Sequence, residues 1–124
     1  MAIGSVLVID DDNLMRDYVT ESLERAGYAV TAHASGAAGL EELEKQSFDL
    51  VVTDLVMPGK SGYELSRDLR ESHPDLKVIL MSGYSDETLE ERIEAEGERS
   101  LPVMKKPFST KDFARRVRDV LDGR

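Results

Sequence analysis

Three consecutive aspartates, Asp10, Asp11 and Asp12, follow directly on the apolar run 6–9, and this feature constrains the fold most strongly. Carboxylates held close together repel one another and raise one another's pKa, so such a cluster is usually kept ionised by a metal or a basic side chain. A strand buried on both faces is not expected to end in this way unless something cationic binds there. The pattern therefore predicts a buried strand whose carboxyl end carries a cation site.

Two further apolar runs also lead to charged residues. The run 48–52 leads to Asp54, and the run 101–104 leads to Lys105 and Lys106. In an open parallel sheet the carboxyl ends of all strands lie along one edge, which is where ligands bind in such folds. We therefore expect the two acidic strand ends and the basic one to form a single site.

Strand-like and helix-like segments alternate along the chain. Apolar runs of strand length are followed by segments with apolar residues at helical spacing, which predicts a doubly wound α/β domain. The predicted strands are residues 6–9, 28–32, 48–53, 76–81 and 101–104. The predicted helices are residues 12–26, 35–44, 61 to about 72, 86–95 and a last helix capped by Ser109.

Length and composition limit the possible functions. The 124 residues suffice for one domain and are too few for two, so residues 1–124 are expected to form a single domain. The chain has no cysteine, which excludes disulfides and thiolate metal sites. Its net charge of -9 disfavours direct binding to nucleic acid or anionic lipid. No apolar run approaches the ~20 residues that cross a bilayer, and no targeting segment is evident, so a cytoplasmic location is expected.

Four segments together resemble the receiver domain of two-component response regulators, in order and along the whole chain. They are residues 6–12, which end in the three aspartates, residues 50–62 around Asp54, residues 78–84 around Ser82, and the tripeptide 106–108. The resemblance implies a (βα)₅, flavodoxin-like fold whose five-stranded parallel sheet has the order 2-1-3-4-5.

The resemblance also implies a metal site at the acidic strand ends. Asp11 and Asp54 are expected to ligate the metal through side-chain oxygens, the backbone carbonyl of Val56 to add a third protein ligand, and Asp10 to hold a metal-bound water. A partly hydrated, all-oxygen site suits Mg²⁺, and Mn²⁺ or Ca²⁺ can substitute there.

The same resemblance implies a phosphoacceptor role. Asp54 is the residue that receives the phosphoryl group, Lys106 pairs with a phosphoryl oxygen, and the hydroxyl of Ser82 donates to another. Phosphoryl transfer needs little beyond such positioning and charge stabilisation. The implied donor is a histidine kinase or a histidine phosphotransfer protein, and the modified protein switches protein–protein interactions as a monomer or a weak phosphorylation-dependent dimer.

There are two departures from the common family pattern. One is Val56, which is apolar where other members have a polar residue two positions after the acceptor, and the other concerns the switch. Many members have an aromatic residue three positions before the site lysine, where this chain has Val103. Tyr84, two residues after Ser82, is therefore the candidate switch residue, in a loop typical of stand-alone receivers and of receiver modules of hybrid histidine kinases. The resemblance further implies a cis peptide bond between Lys106 and Pro107.

The exposed part of the first helix is the expected docking surface for the kinase. The surface lies around Leu14, Met15 and Tyr18, and because the helical stripe assigns some of these side chains to the core, the prediction falls on Leu14 and Met15 jointly. Asp12 is expected to act only as a helix N-cap, and Lys105 as a solvated charge.

Two other functional classes stay open. One is a small Mg²⁺-dependent phosphohydrolase that uses Asp54 as nucleophile; against it, no second carboxylate stands two residues after Asp54, and no segment is long enough to cap a substrate. The other is a constitutive protein-interaction domain of receiver shape, against which the intact set of site residues argues. The favoured reading is a phosphorylation-dependent binding module rather than an enzyme with an external substrate.

Overall fold

The computed structural model of the chain describes residues 3–55, 62–82, 103–106 and 108–123. The strands within these residues are β1 (Ser5–Ile9), β2 (Ala29–His33), β3 (Leu50–Asp54), β4 (Lys77–Ser82) and β5 (Val103–Lys105). The helices there are α1 (Asn13–Arg25), α2 (Gly36–Lys45), α3 (Gly62–Ser72) and α4 (Thr110–Leu121). Across the described part of the chain, no helix has the length and apolar character needed to span a membrane.

All five of these strands pair in parallel in one sheet, in the order β2-β1-β3-β4-β5. This confirms the predicted fold class and strand order. The predicted boundaries differ by one or two residues: β2 and β4 lie one residue later than expected, and β3 begins at Leu50 rather than at residue 48. Asp49 lies just before β3, where its carboxylate accepts a hydrogen bond from the Ser5 amide at 2.9 Å. The predicted helix 86–95 lies outside the described residues.

The two faces of the sheet carry two separate cores. Side chains alternate between the faces along a strand, so Leu7 and Ile9 of β1 pack toward α2 and α3, while Val6 and Val8 pack toward α1 and α4. The first cluster also contains Leu43, Val51, Leu55, Leu65, Leu69, Val78 and Leu80. The second also contains Val19, Leu23, Tyr28, Leu50, Val52, Ile79, Met81, Phe113 and Val117. Burial on both faces explains why the central strands are almost entirely apolar.

Side-chain caps start α1 and α4. The Asp12 carboxylate accepts hydrogen bonds from the amides of Leu14 and Met15, at 2.9 and 3.2 Å. The Ser109 hydroxyl accepts one from the amide of Asp112 at 3.0 Å. Such caps satisfy backbone amides that have no partner within the helix. Both predicted caps are confirmed. The cap at Asp12 makes α1 begin directly after the acidic loop, which consists of Asp10, Asp11 and Asp12.

The start of α3 packs directly on the end of β3. The amide of Gly62 donates to the carbonyl oxygen of Leu55 at 2.8 Å. A Cβ atom on Gly62 would overlap the backbone carbonyl oxygen of Asp54. This close approach requires glycine, because no side-chain movement can relieve a clash between a Cβ atom and the backbone.

We predict that Gly62→Ala destabilises the fold by about 1–3 kcal/mol, the usual range for overpacking a rigid site. The matched control is Gly36→Ala at the first residue of α2, where a new Cβ atom would lie 3.8 Å from Leu65 Cδ2, at ordinary contact distance. That control should be neutral or stabilising by up to about 1 kcal/mol. Urea unfolding of both variants measures the difference, and equal free energies of unfolding would contradict the steric argument.

Candidate functional site

The parallel register brings the acidic strand ends together. Ile9 of β1 pairs with Thr53 of β3, so Asp10 and Asp54, the next residue of each chain segment, lie side by side. One carboxylate oxygen from each of Asp10, Asp11 and Asp54 lies within 4.8 Å of the others. The carboxylates predicted to meet therefore do meet, at the carboxyl edge of the sheet.

Lys106 enters this cluster from the end of β5. Its Nζ donates to Asp54 Oδ1 at 3.0 Å and lies 3.7 Å from Asp10 Oδ2. Its backbone amide donates to the carbonyl oxygen of Ser82 at 2.6 Å, which attaches the lysine to the end of β4. The neighbouring Lys105 is exposed. The structure thus selects Lys106, as predicted, as the lysine of the site.

The Asp10 carboxylate is fully buried, and its two oxygens differ in their hydrogen bonds. Asp10 Oδ1 accepts a hydrogen bond from the Asp12 amide at 2.9 Å. Asp10 Oδ2 accepts no hydrogen bond from any residue that the structure describes. Burial raises the pKa of Asp10 above its ordinary value, although the Asp12 amide and the Lys106 ammonium act in the opposite direction. The protein therefore holds an ionisable group where ionisation is costly without a further cation.

Lys106 is kept protonated by its acidic neighbours. Burial by itself lowers the pKa of Lys106, but the hydrogen bond to Asp54 and the charges of Asp54 and Asp10 raise it, and the net result is a pKa above the ordinary value. The lysine therefore presents a fixed positive charge inside the site.

The charges of the cluster do not balance. Three carboxylates and one ammonium give a formal charge of -2 at neutral pH. Asp11 is exposed, so the cluster is open to solvent on one side. A set of carboxylate oxygens within a few ångströms, one of them lacking a donor, fits a hard divalent cation such as Mg²⁺. Asp10, Asp11 and Asp54 are the residues that could hold it.

The remaining predicted site residues are only partly described. Ser82 is fully buried at the end of β4, beside Lys105 in the sheet register. Val56 and Tyr84 lie outside the described residues, as does the bond between Lys106 and Pro107, because Pro107 is also outside them. The carbonyl ligand, the switch tyrosine and the cis bond therefore stay predictions.

One contact to the acidic loop was missed by the sequence argument. The Arg16 guanidinium donates to the backbone carbonyl of Asp10 at 2.8 Å and also to the side chain of Asn13. Arg16 follows the Asp12 cap by one helical turn, so its place on α1 returns it to the loop before the helix. That spacing is the signal that could have identified it.

The three docking residues predicted on α1 differ in exposure. Leu14 is 82% exposed, whereas Met15 and Tyr18 are partly buried and pack against the second core cluster. The Tyr18 hydroxyl also donates to the backbone carbonyl of Phe108 at 2.9 Å. The expected exposed surface is therefore found at Leu14 but not at Met15, because the helical stripe turns Met15, like Tyr18, toward the second core cluster.

Comparison with known proteins agrees with this geometry. The sequence model of the response regulator receiver domain matches residues 6–118. The chain is 36% identical over 116 residues to the response regulator receiver protein CpdR of Brucella abortus, covering 94% of this chain and 95% of CpdR. It is also 36% identical over 121 residues to the sensor kinase CckA of the same organism, covering 96% of this chain but 13% of the kinase.

A solved structure shows the same fold. The response regulator receiver domain protein from Clostridium thermocellum superposes with a TM-score of 0.85 at 28% sequence identity, covering 99% of this chain and 96% of that one. The family match spans nearly the whole chain and includes both acidic strand ends and Lys106. The chain therefore belongs to the response regulator receiver domain family of two-component signalling.

Proposed function

We propose that this receiver accepts a phosphoryl group on Asp54 in an Mg²⁺-dependent reaction, and that the modification switches its contacts with other proteins. The donor is a phosphohistidine on a histidine kinase or a histidine phosphotransfer protein. Residues 1–124 act as one receiver unit, and self-phosphorylation with loss of the phosphoryl group is the only chemistry proposed.

The contact between Asp54 and Lys106 is the observation that carries the proposal. Asp54 is nearly buried, with 8% of its surface exposed, and its Oδ1 lies 3.0 Å from the Lys106 ammonium. An aspartate that served only as a surface charge would not be held against a partly buried lysine and two further carboxylates. The arrangement instead supports a nucleophile next to a preset positive charge.

The chemistry follows from these residues. A carboxylate oxygen of Asp54 attacks the phosphorus, the bond between phosphorus and the histidine nitrogen breaks, and its electron pair leaves with the imidazole. Asp10, Asp11 and Asp54 are the residues that would hold Mg²⁺, which when bound would neutralise the charge that keeps one anion from another. Lys106 would pair with a phosphoryl oxygen, and the Ser82 hydroxyl would donate to another.

Acetyl phosphate tests the proposal without a partner protein. Wild-type protein incubated with acetyl phosphate and Mg²⁺ should gain one phosphoryl group, measured by intact mass, and should gain none when EDTA replaces Mg²⁺. Failure to form the adduct at saturating acetyl phosphate would contradict the proposed function. Continuous release of phosphate from phosphate esters, with many turnovers per protein, would instead favour the phosphohydrolase alternative.

Docking of the kinase gives a separate prediction on α1. Leu14 is one of two large apolar side chains that the described structure leaves exposed, and its amide is hydrogen-bonded to Asp12 beside the site. We expect Leu14→Asp to slow phosphotransfer from a phosphorylated histidine donor by about tenfold, the usual effect of losing an apolar anchor. Phosphorylation by acetyl phosphate should not change, because that donor needs no docking surface.

Ile3→Asp is the matched control, because Ile3 is the second exposed apolar side chain and precedes β1 at the opposite edge of the sheet. It should transfer at the wild-type rate. If both variants slow transfer equally, charge repulsion rather than docking at Leu14 is the cause.

A further inference from the structure

Helix α1 is connected both to the aspartates of the site and to the chain next to Lys106. Its N-cap residue Asp12 belongs to the acidic loop, where the Asp12 amide donates to Asp10. About one and a half turns later, the Tyr18 hydroxyl donates to the backbone carbonyl of Phe108 at 2.9 Å. Phe108 lies two positions after Lys106 in the sequence, so the same helix also contacts the chain close to the site lysine.

Phe108 is held at its ring as well as at its carbonyl. The rings of Tyr18 and Phe108 lie 6.2 Å apart at an angle of 43°. On the other side, Phe108 stacks on Phe113 of α4 with ring centroids 5.1 Å apart. Phe113 is completely buried, so close packing restricts the movement of its ring. The backbone of Phe108 therefore has little freedom to move while the Tyr18 contact is intact.

Lys106 and Phe108, two positions apart in the sequence, are each held by a hydrogen bond. The Lys106 amide donates to the Ser82 carbonyl, and the Phe108 carbonyl accepts from the Tyr18 hydroxyl. A lysine side chain has four rotatable bonds, so the place of its ammonium depends on how firmly its backbone is held. Because Phe108 is only two positions from Lys106 in the sequence, we expect the place of Phe108 to influence that of the lysine.

We propose that Tyr18 is a positioning residue for Lys106. Its hydroxyl holds Phe108 against α1, and thereby sets the distance of Lys106 from the aspartates that precede α1 and the strength of the contact between Lys106 and the phosphoryl group. This inference rests on the proposed function of Asp54, and it assigns to Tyr18 an internal role instead of the docking role predicted from the sequence.

Tyr18→Phe removes only the hydroxyl and tests the proposal. Beryllofluoride, a non-covalent stand-in for the phosphoryl group, is titrated in saturating Mg²⁺ and followed by fluorine NMR. We expect the variant to bind beryllofluoride about threefold to tenfold more weakly, as for the loss of one positioning hydrogen bond. Its affinity for Mg²⁺ alone should change by less than about twofold, since none of the carboxylates contacts Tyr18 directly.

Tyr28→Phe is the matched control. Tyr28 belongs to the same core cluster but lies just before β2, at the opposite edge of the sheet. It should leave both affinities at the wild-type value. If Tyr18→Phe lowers the thermal midpoint but binds beryllofluoride as tightly as wild type, Tyr18 is purely structural and the inference is wrong.

A double-mutant cycle shows whether Tyr18 acts through Lys106. The rate of phosphorylation by acetyl phosphate is measured for Tyr18→Phe, Lys106→Ala and the double variant. The tyrosine substitution should slow the reaction in the wild-type background and have no further effect once the lysine is gone. Equal slowing in both backgrounds would overturn the inference. If wild-type protein itself binds no beryllofluoride, the proposed function falls, and this inference with it.

Discussion

Asp54→Asn is expected to abolish formation of the phosphoryl adduct with acetyl phosphate and Mg²⁺. The amide is not a nucleophile for phosphorus, so no covalent bond can form at this position. The substitution keeps the size of the side chain, and the amide oxygen can still accept the hydrogen bond that Lys106 Nζ now donates to Asp54 Oδ1 at 3.0 Å. The loss should therefore be complete while the protein stays folded, as measured by intact mass and by circular dichroism.

Asp12→Asn is the control for that experiment. It makes the same chemical change, from carboxylate to amide, at the N-cap of α1, and asparagine caps a helix about as well as aspartate. Asp12 belongs to the loop but not to the group of three carboxylates that could hold a metal. This variant should be phosphorylated like wild type. A full-yield adduct on Asp54→Asn would move the acceptor to another residue.

Asp10→Asn is expected to have two opposite effects. Mg²⁺ affinity should fall by at least about tenfold, since even indirect disturbance of a metal site costs that much. The metal-free protein, in contrast, should become more stable by about 1–2 kcal/mol at neutral pH, because the variant no longer buries a carboxylate with an unsatisfied oxygen. Isothermal titration with Mg²⁺ and urea unfolding in EDTA measure the two quantities.

The pH dependence of stability has a definite sign for Asp10. Burial raises its pKa in the folded protein above the ordinary value of 3.8, which is close to that of the unfolded chain. The stability that this group contributes is fully present below the unfolded pKa and is lost as the pH rises through the folded pKa. The metal-free wild type should therefore gain stability from this group on mild acidification, and Asp10→Asn should not.

Asp11→Asn separates metal binding from burial. Asp11 belongs to the same cluster but is exposed, so water already solvates its charge. This variant should lose Mg²⁺ affinity without gaining stability in EDTA. If Asp10→Asn and Asp11→Asn have the same free energy of unfolding in EDTA, burial of the Asp10 carboxylate is not what lowers the stability of the metal-free wild type.

The sequence was sufficient to predict the fold and the members of the charged cluster. Strand length, apolar runs and helical spacing are local patterns, and in a parallel sheet they imply that every strand ends at the same edge. Asp10, Asp54 and Lys106 each follow an apolar run, so their meeting could be predicted without knowing any distance. The helix caps at Asp12 and Ser109 are equally local, and both were predicted correctly.

Only the tertiary structure decided how these residues are used. Three features depend on parts of the chain that are distant in sequence. Asp10 is completely buried, Lys106 lies nearer to Asp54 than to Asp10, and Tyr18 contacts Phe108. Tyr18 and Phe108 are 90 positions apart, and no local pattern relates them. Periodicity determines which face of an element a side chain occupies, whereas its burial and its partner depend on how the elements pack. For this protein the sequence therefore predicts which charged residues end the strands, whereas packing determines their pKa values and their mutual positions.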